Sequence, residues 1–460
     1  MFRSSMIAGA FALAAFASPA LADATSSREV QSAVDAYLAT AKADTSLVGG
    51  AGQAGYDGGF WIRGGSFLMK INLTLQTRWE GFDWDDTAVE PRPGGDLSGF
   101  SLPRATLKFS GDATCDVHYY AELEFGHAGN FAQNNTSRDD SVLDDLLPGG
   151  VIIGGPNKTL DFVDYGTLRE GWIEYETSPY AIFRMGLVKT PTTRQLMTPP
   201  EMQQFVDISM ASAFIGQTMP GYSDRNRDYG FLLHGAFGCD GEWQYMIGVT
   251  NGDGPVHRNV LDGETSDCFA YSARVNWDIK GHLGYEEGAL RSHECEWAAS
   301  LGAWAHYYTD HDNENPFFKY ADRLTWGVDA AFAWGGFSFT AAYNAMSWDD
   351  ANNNNNISGF SWLAQAGYLF PGTAWEIAAR YSYYEMTFED QGDFMHGGSE
   401  IAVGVNYYID GHADKVTLDV AMISPEGDDD SNALADTYAG YNTTFDSDAI
   451  LIRLQWQLAL

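Results

Sequence analysis

The chain has 460 residues, with 62 Asp and Glu against 26 Lys and Arg and a formal net charge of −36. Binding to phosphate backbones depends on basic surface, so this balance argues against nucleic acid as a partner. Charged residues at 19% beside aromatics at 14% exclude a disordered acidic chain. Beyond the first two dozen residues no apolar run approaches the roughly 20 residues of a membrane-spanning helix. The 50 glycines and many aromatics point instead to an all-β architecture.

Arg3 precedes an apolar stretch over 6–17, and Ala20-Leu21-Ala22 supplies the small-x-small pattern that signal peptidase cuts. Residues 1–22 are therefore expected to be a signal peptide, cleaved before Asp23, and the protein to be exported. Within 26–43, Val30, Ala33, Val34, Tyr37, Leu38 and Ala41 fall on one helical face. Residues 44–65 read as a Gly-rich linker. The expected organisation is a periplasmic helix and linker over 23–65, then one β domain over 66–460. Cys115, Cys239, Cys268 and Cys295 show no CxxC or CxxH spacing, which argues against zinc, and are too few for a disulfide scaffold. A pairing of Cys239 with Cys295 stays open.

From residue 66 the apolar period changes from 3.6 to 2 and stays there. Met69, Ile71, Leu73, Leu75, Thr77 and Trp79 alternate with Lys70, Asn72, Thr74, Gln76 and Arg78. Ile450, Ile452, Leu454, Trp456 and Leu458 alternate with Leu451, Arg453, Gln455 and Gln457. Strands are predicted at 66–80, 101–110, 116–126, 166–177, 180–188, 227–237, 242–250 and 268–278. The second half adds 296–307, 323–334, 336–347, 360–370, 374–388, 399–409, 414–424 and 447–460. Many match the roughly 9–11 residues that a tilted strand needs to cross a bilayer.

Short connections such as Gly335-Gly336 alternate with long polar ones at 81–100, 127–165, 189–226, 251–267 and 425–446. That two-sided asymmetry fits a transmembrane antiparallel β-barrel of about 16 strands, with turns in the periplasm and loops outside. The connection 279–295 is unusually long for the turn side. A soluble β-sandwich would alternate too, but without the asymmetry. Trp79, Trp243, Trp277, Trp297, Trp326, Trp375 and Trp456 sit near strand ends, as interfacial girdles require.

Leu168-Arg169-Glu170-Gly171-Trp172-Ile173-Glu174-Tyr175-Glu176 is followed by Phe183-Arg184-Met185-Gly186-Leu187-Val188-Lys189-Thr190-Pro191. The pair resembles the strand, short turn and RxGxxKxP entry to the third loop of the phosphate-selective porin O and P family. Arg227-Asp228-Tyr229-Gly230 and Gly248-Val249-Thr250-Asn251-Gly252 resemble the strands leaving that loop. Residues 374–383 and 403–408 are similar to later strands, so the likeness runs through most of the mature chain. The resemblance implies a sixteen-stranded homotrimeric porin with an in-folded third loop. Two features depart from the family: the chain ends in Leu460 rather than an aromatic residue, and its third loop has no dense cluster of Arg and Lys. Phosphate selectivity is therefore not carried over.

Strand alternation sets which side chains face the lumen. The basic candidates are Lys70, Arg78, Arg104, Lys108, Arg184, Arg274, Arg323, Arg380, Lys415 and Arg453. The acidic ones include Glu122, Glu124, Glu170, Glu174, Glu176, Asp329, Glu376, Glu400 and Asp419. With the last strand closing on the first, Arg380, Lys415, Arg453, Lys70, Arg78, Arg104 and Lys108 share one arc. Glu122, Glu124, Glu170 and Glu174 follow it at the root of the third loop. The expectation is a basic wall facing an acidic patch, with Arg194, Glu201, Asp207, Arg225 and Arg227 on a constricting loop.

The function read from this pattern is a passive outer-membrane diffusion channel for small hydrophilic solutes or ions, with an anion preference at the basic arc. Outer-membrane lipid, the solute and two further copies of the chain are the expected partners. An enzyme is not expected, because no GxSxG or comparable signature appears. The acidic positions Asp83, Asp85, Asp86 and 428–430 match no EF-hand spacing, so no metal or cofactor is expected. A structural or adhesive envelope protein, tethered through 26–43, is the competing reading.

Overall fold

The computed structural model describes residues 52–84, 97–126, 167–218, 226–252, 269–290, 296–309, 321–350, 356–388, 394–427 and 448–460. The expected signal peptide and the 26–43 helix lie outside these residues. Two short strands come first, β1 (Gln53–Tyr56) and β2 (Phe60–Gly64). Then follow β3 (Phe67–Trp84), β4 (Leu97–Asp112), β5 (Val117–Glu124), β6 (Thr167–Ser178), β7 (Ala181–Lys189), β8 (Arg227–Phe237), β9 (Trp243–Thr250) and β10 (Ala270–Lys280). The rest are β11 (Ala298–Thr309), β12 (Ala321–Trp334), β13 (Phe337–Asp350), β14 (Ile357–Leu369), β15 (Trp375–Phe388), β16 (Phe394–Asp410), β17 (Asp414–Gly427) and β18 (Ala449–Ala459).

The strands from β3 to β18, sixteen in all, form one closed antiparallel barrel, each bonded to the next and β18 to β3. Closure leaves no open edge among them and satisfies the backbone within the sheet, as lipid demands. The Gly335-Gly336 turn between β12 and β13 has φ of 59° and 92°, a pair of values that a two-residue hairpin favours and that glycine adopts without strain.

Period-2 alternation separates a lipid face from a lumen face. Trp456 is 58% exposed and Val403 55%, while their strand neighbours Gln455, Gln457 and Ala402 are buried. Aromatic rings gather at the periplasmic ends of the wall: Trp243 stacks on Trp277 at 5.2 Å, and Trp375 meets Tyr407 at 4.6 Å. A second row, Trp326, Tyr343, Phe360 and Tyr383, crosses neighbouring strands nearer the outer rim, with centroid spacings of 6.1, 6.2 and 5.8 Å. Amphipathic rings suit the headgroup zone on both sides.

Two features depart from the expectations, the linker and the connection after β10. The 44–65 linker contains β1 and β2, because Gly58 and Gly59 take φ of 57° and 144° and turn the chain back on itself. β2 pairs with β3 from Gly64↔Phe67 to Phe60↔Ile71, below the point where β18 pairs with β3. The Asn72 side chain bridges the junction, donating to the Gly58 carbonyl at 2.6 Å and the Leu460 carbonyl at 2.9 Å. Cys115 and Cys239 are free and exposed, and Cys268 and Cys295 lie outside the described residues. Finally, the described part of the long connection after β10, residues 281–290, turns upward into the barrel rather than hanging below it.

The loop after β7 also enters the lumen. It carries α1 (Arg194–Met197), a 3-10 turn (Pro200–Met202) and α2 (Met210–Thr218). Apolar residues of that loop (Leu196, Ile208, Met210, Phe214 and Ile215) pack on Trp304, Met346, Trp348, Ile357, Tyr384 and Ile423 of the inner wall. Among the described residues this interior core lies against one side of the barrel.

Candidate functional site

The lumen has a packed side and an accessible side. On the packed side the in-folded loop lies against β10–β18 and the start of the barrel. Arg380 contacts Glu400 at 2.5 Å, and Glu400 also accepts from Ser382 at 2.8 Å and from the Met210 amide at 3.0 Å. Arg453 is paired with Asp419 at 2.8 Å, and Asp419 accepts from the Val206 amide at 3.0 Å. Lys415 donates to the Gln203 carbonyl at 2.5 Å. Arg274 pairs with Asp329 at 2.7 Å, whose other contact is the Arg194 amide at 3.1 Å. Arg380, Lys415 and Arg453 are each 2% exposed, so solvent does not reach them. Such charges are tolerated when paired or hydrogen-bonded: Arg380 and Arg453 each hold a carboxylate, and Lys415 meets the Gln203 carbonyl and His412.

Sequence alternation thus located these cations on the inner face, but the structure does not present them as an open basic wall. Each has a carboxylate or a loop carbonyl within hydrogen-bond reach, which closes their field locally. Arg78 donates to Gln455 at 2.9 Å and lies 3.7 Å from Asp207; Arg104 donates to Gln76 at 2.8 Å and lies 3.4 Å from Asp207. Asp207 is therefore the carboxylate that ties the loop to β3 and β4. Lys108 binds Glu201 on the 3-10 turn. Burial pushes the Glu201 carboxyl up, but the Lys108 charge and hydrogen bond outweigh it and hold it below its ordinary 4.5. Lys70 is half-buried on the periplasmic half of β3, away from this cluster. Arg225 and the acidic positions Asp85, Asp86 and 428–430 lie outside the described residues.

The more accessible side among the described residues is formed by β4–β8, where Arg184 reaches solvent although Glu122, Glu174 and Arg227 are buried. Glu122 and Glu124 lie 3.3 and 3.8 Å from Arg169, and Glu170 lies 3.3 Å from Arg227. Glu174 joins Arg184 at 2.7 Å and His234 at 2.9 Å. Arg184, with its side chain 22% exposed, also covers the Trp172 ring at 3.9 Å. Between this wall and the loop lies a narrow gap of about 30 Å³, lined by Arg104, Arg169, Lys189 and Arg227 with Gln203 and Asn226. Among its lining residues are four cations and no carboxylate. Lys189 donates to the Met197 carbonyl at 3.1 Å.

Two of those cations were missed as lumen residues, for separate reasons. The register between β5 and β6 jumps from Glu122↔Glu170 to Leu123↔Leu168, leaving Arg169 as the extra residue of a β-bulge. A bulge re-aims a side chain that strict alternation would send to lipid. Lys189 is the last residue of β7, where the chain leaves the wall and the alternation no longer constrains it. Both stand in the quoted family-like stretch, which was the one available signal.

Residues 308–458 match the family model described as phosphate-selective porin O and P. The match includes 374–383 and 403–408 but stops short of the 168–191 stretch. No curated protein matches the chain by sequence. An anion-selective porin from Comamonas acidovorans is similar in structure, with TM-score 0.55 and 12% identity over 85% of this chain and 99% of its own. OmpT of Vibrio cholerae gives 0.51 and 9% over 86% and 99%, and OprB of Pseudomonas putida gives 0.50 and 10% over 85% and 94%. At such identities the likeness shows the fold, an outer-membrane porin barrel.

Proposed function

We propose that the chain is a passive diffusion porin whose path follows the β4–β8 side of the lumen and favours small anions. The observation that carries the anion preference is the four-cation lining of the gap beside the in-folded loop: the carboxylate partners of Arg104, Arg169 and Arg227, namely Asp207, Glu122 and Glu170, stand behind the lining, and Lys189 is held by the Met197 carbonyl. Charge rings and clusters at a constriction select ions because a narrow path keeps them within a Debye length, about 8–10 Å at physiological salt. The net charge of −36 does not oppose this, since most of it belongs to positions away from that gap. The Comamonas porin named above is described as anion-selective.

A channel rather than an enzyme fits the barrel and the porin family match. The further reading is an exported protein with 1–22 as its signal peptide, 23–65 on the periplasmic side and 66–460 as the barrel. Three copies would assemble through the barrel wall, a proposal that follows the family match and is read by the mass of the detergent-solubilised complex.

The test is the reversal potential of purified protein in a planar bilayer under a KCl gradient. A potential of the sign for chloride over potassium supports the reading. A protein that inserts but never conducts, or one that favours potassium, overturns it.

A further inference from the structure

We propose that residues 281–290 form a periplasmic plug that positions the in-folded loop, with Glu287 as its latch. The inference rests on the channel reading above. Antiparallel neighbours need only two to five residues to connect, as Gly335-Gly336 does between β12 and β13, yet β10 and β11 are joined by a far longer piece. Its described part is spent inside the barrel rather than below it.

Glu287 is 2% exposed and binds three elements together. Its Oε1 accepts from the Gln195 side chain of α1 at 2.9 Å. Its Oε2 accepts from the Gln204 amide at 3.0 Å and from Gln365 of β14 at 3.0 Å. Its own amide donates to the Met202 carbonyl at 3.0 Å. An ionised carboxylate only accepts, and it meets three neutral donors here; the isosteric amide would set its own N–H groups against one of them. A buried carboxylate is costly to desolvate unless such donors surround it, so the site holds only when loop and plug are both in place.

The remaining contacts fix the plug on the wall below. Arg194 donates to the Gly284 carbonyl, and the Ala289 amide donates to Glu376 at 2.8 Å. His412, in the turn after β16, lies 3.1 Å from the Glu287 carbonyl and 3.5 Å from Glu286. Gly288 has φ of 89°, and a Cβ there would stand 3.0 Å from the Tyr408 hydroxyl. The plug approaches the wall as closely as glycine permits.

The loop is thus clamped from two directions: by Asp419, Glu400 and Asp329 of the wall, and by Glu287 from the periplasmic side. Gln195, held by Glu287, also lines the four-cation gap. Release of the latch frees the face of the loop that sets the gap's width, so conductance and ion preference change together.

Full-length Glu287→Gln and Glu287→Ala proteins test this in planar bilayers. Single-channel conductance should rise about twofold or more, with a weaker chloride preference, because the constriction governs both. Glu287→Asp, which keeps the acceptor charge, should recover most of the wild-type ion preference. A wild-type protein that conducts, beside Glu287 variants with its conductance and reversal potential, overturns the latch alone; a silent wild type overturns the channel reading. Hydrogen exchange of the unmodified protein gives a measurement that needs no variant. Amides of 195–210 and 281–290 should open as one unit, and independent exchange of the two segments would refute the proposal.

Discussion

Arg453 and Asp419 face each other across β17 and β18 in a buried two-pronged pair, with Nε to Oδ1 at 2.8 Å and Nη2 to Oδ2 at 2.9 Å. The same Asp419 Oδ2 accepts from the Val206 amide of the in-folded loop. One carboxylate therefore neutralises a wall cation and anchors the loop, and loss of either partner is felt by both.

Removing one member of such a pair leaves the other buried and uncompensated, at a cost of about 3–5 kcal/mol. Arg453→Ala should lower unfolding stability by that order, read by urea titration of tryptophan fluorescence in lipid vesicles. The double replacement Arg453→Met with Asp419→Asn should recover much of it, because it removes both charges and keeps an acceptor for the Val206 amide. A single variant within about 1 kcal/mol of wild type would contradict the pairing, since that is the range of exposed pairs.

The acid response follows from Glu201. Its carboxyl is held below the ordinary 4.5, so its anchor to Lys108 is complete above that value and is lost as pH falls through the lower folded one. Conductance should stay constant from neutral pH down to about 4.5 and change only below it. In Lys108→Met the lowering by the Lys108 charge and hydrogen bond is gone and burial prevails on Glu201, so the change should begin at a higher pH. A step in wild-type conductance near neutrality would exclude Glu201 as its source.

Lys189 contributes one of the four cations of the gap. Lys189→Met keeps the length of the side chain and removes its charge. The reversal potential under a KCl gradient should move towards potassium, with little change in folding yield. An unmoved potential would place the conducting path elsewhere.

The lipid face makes a separate claim. Val403, near the middle of β16, is 55% exposed on the outer wall. Val403→Arg should destabilise the barrel by about 2–4 kcal/mol in a bilayer, the cost of a cation at mid-depth. Refolding into vesicles at graded urea gives the number, and a neutral effect would mean that β16 does not face lipid.

The sixteen strands were legible because a wall with lipid on one side and water on the other writes its period directly into the residues. The filling of the lumen was not. Arg184 and Arg380 occupy equivalent positions in the alternation, yet one stays accessible and the other lies sealed beneath the loop at Glu400. Both a wet wall and a wall packed under a polar loop need hydrophilic side chains, so the pattern cannot separate them. Glu287 was hidden for a related reason: its neutral partners come from two distant parts of the chain, Gln195 and Gln204 from the in-folded loop and Gln365 from β14. Arg169 escaped because a bulge breaks the count of two, and the β1–β2 hairpin because glycine-rich sequence serves tight turns and linkers alike.

The hairpin before β3 has a consequence for assembly. By occupying β3 up to Ile71, it acts as a stop against which the incoming β18 must halt, and Asn72 marks the boundary. A seam between strands some 381 positions apart, as Gln76 and Gln457 are, has no short turn to fix its alignment. An error of one residue there would send Arg453 into lipid and Trp456 into water. The small hairpin works as a ruler for the last joint the barrel makes.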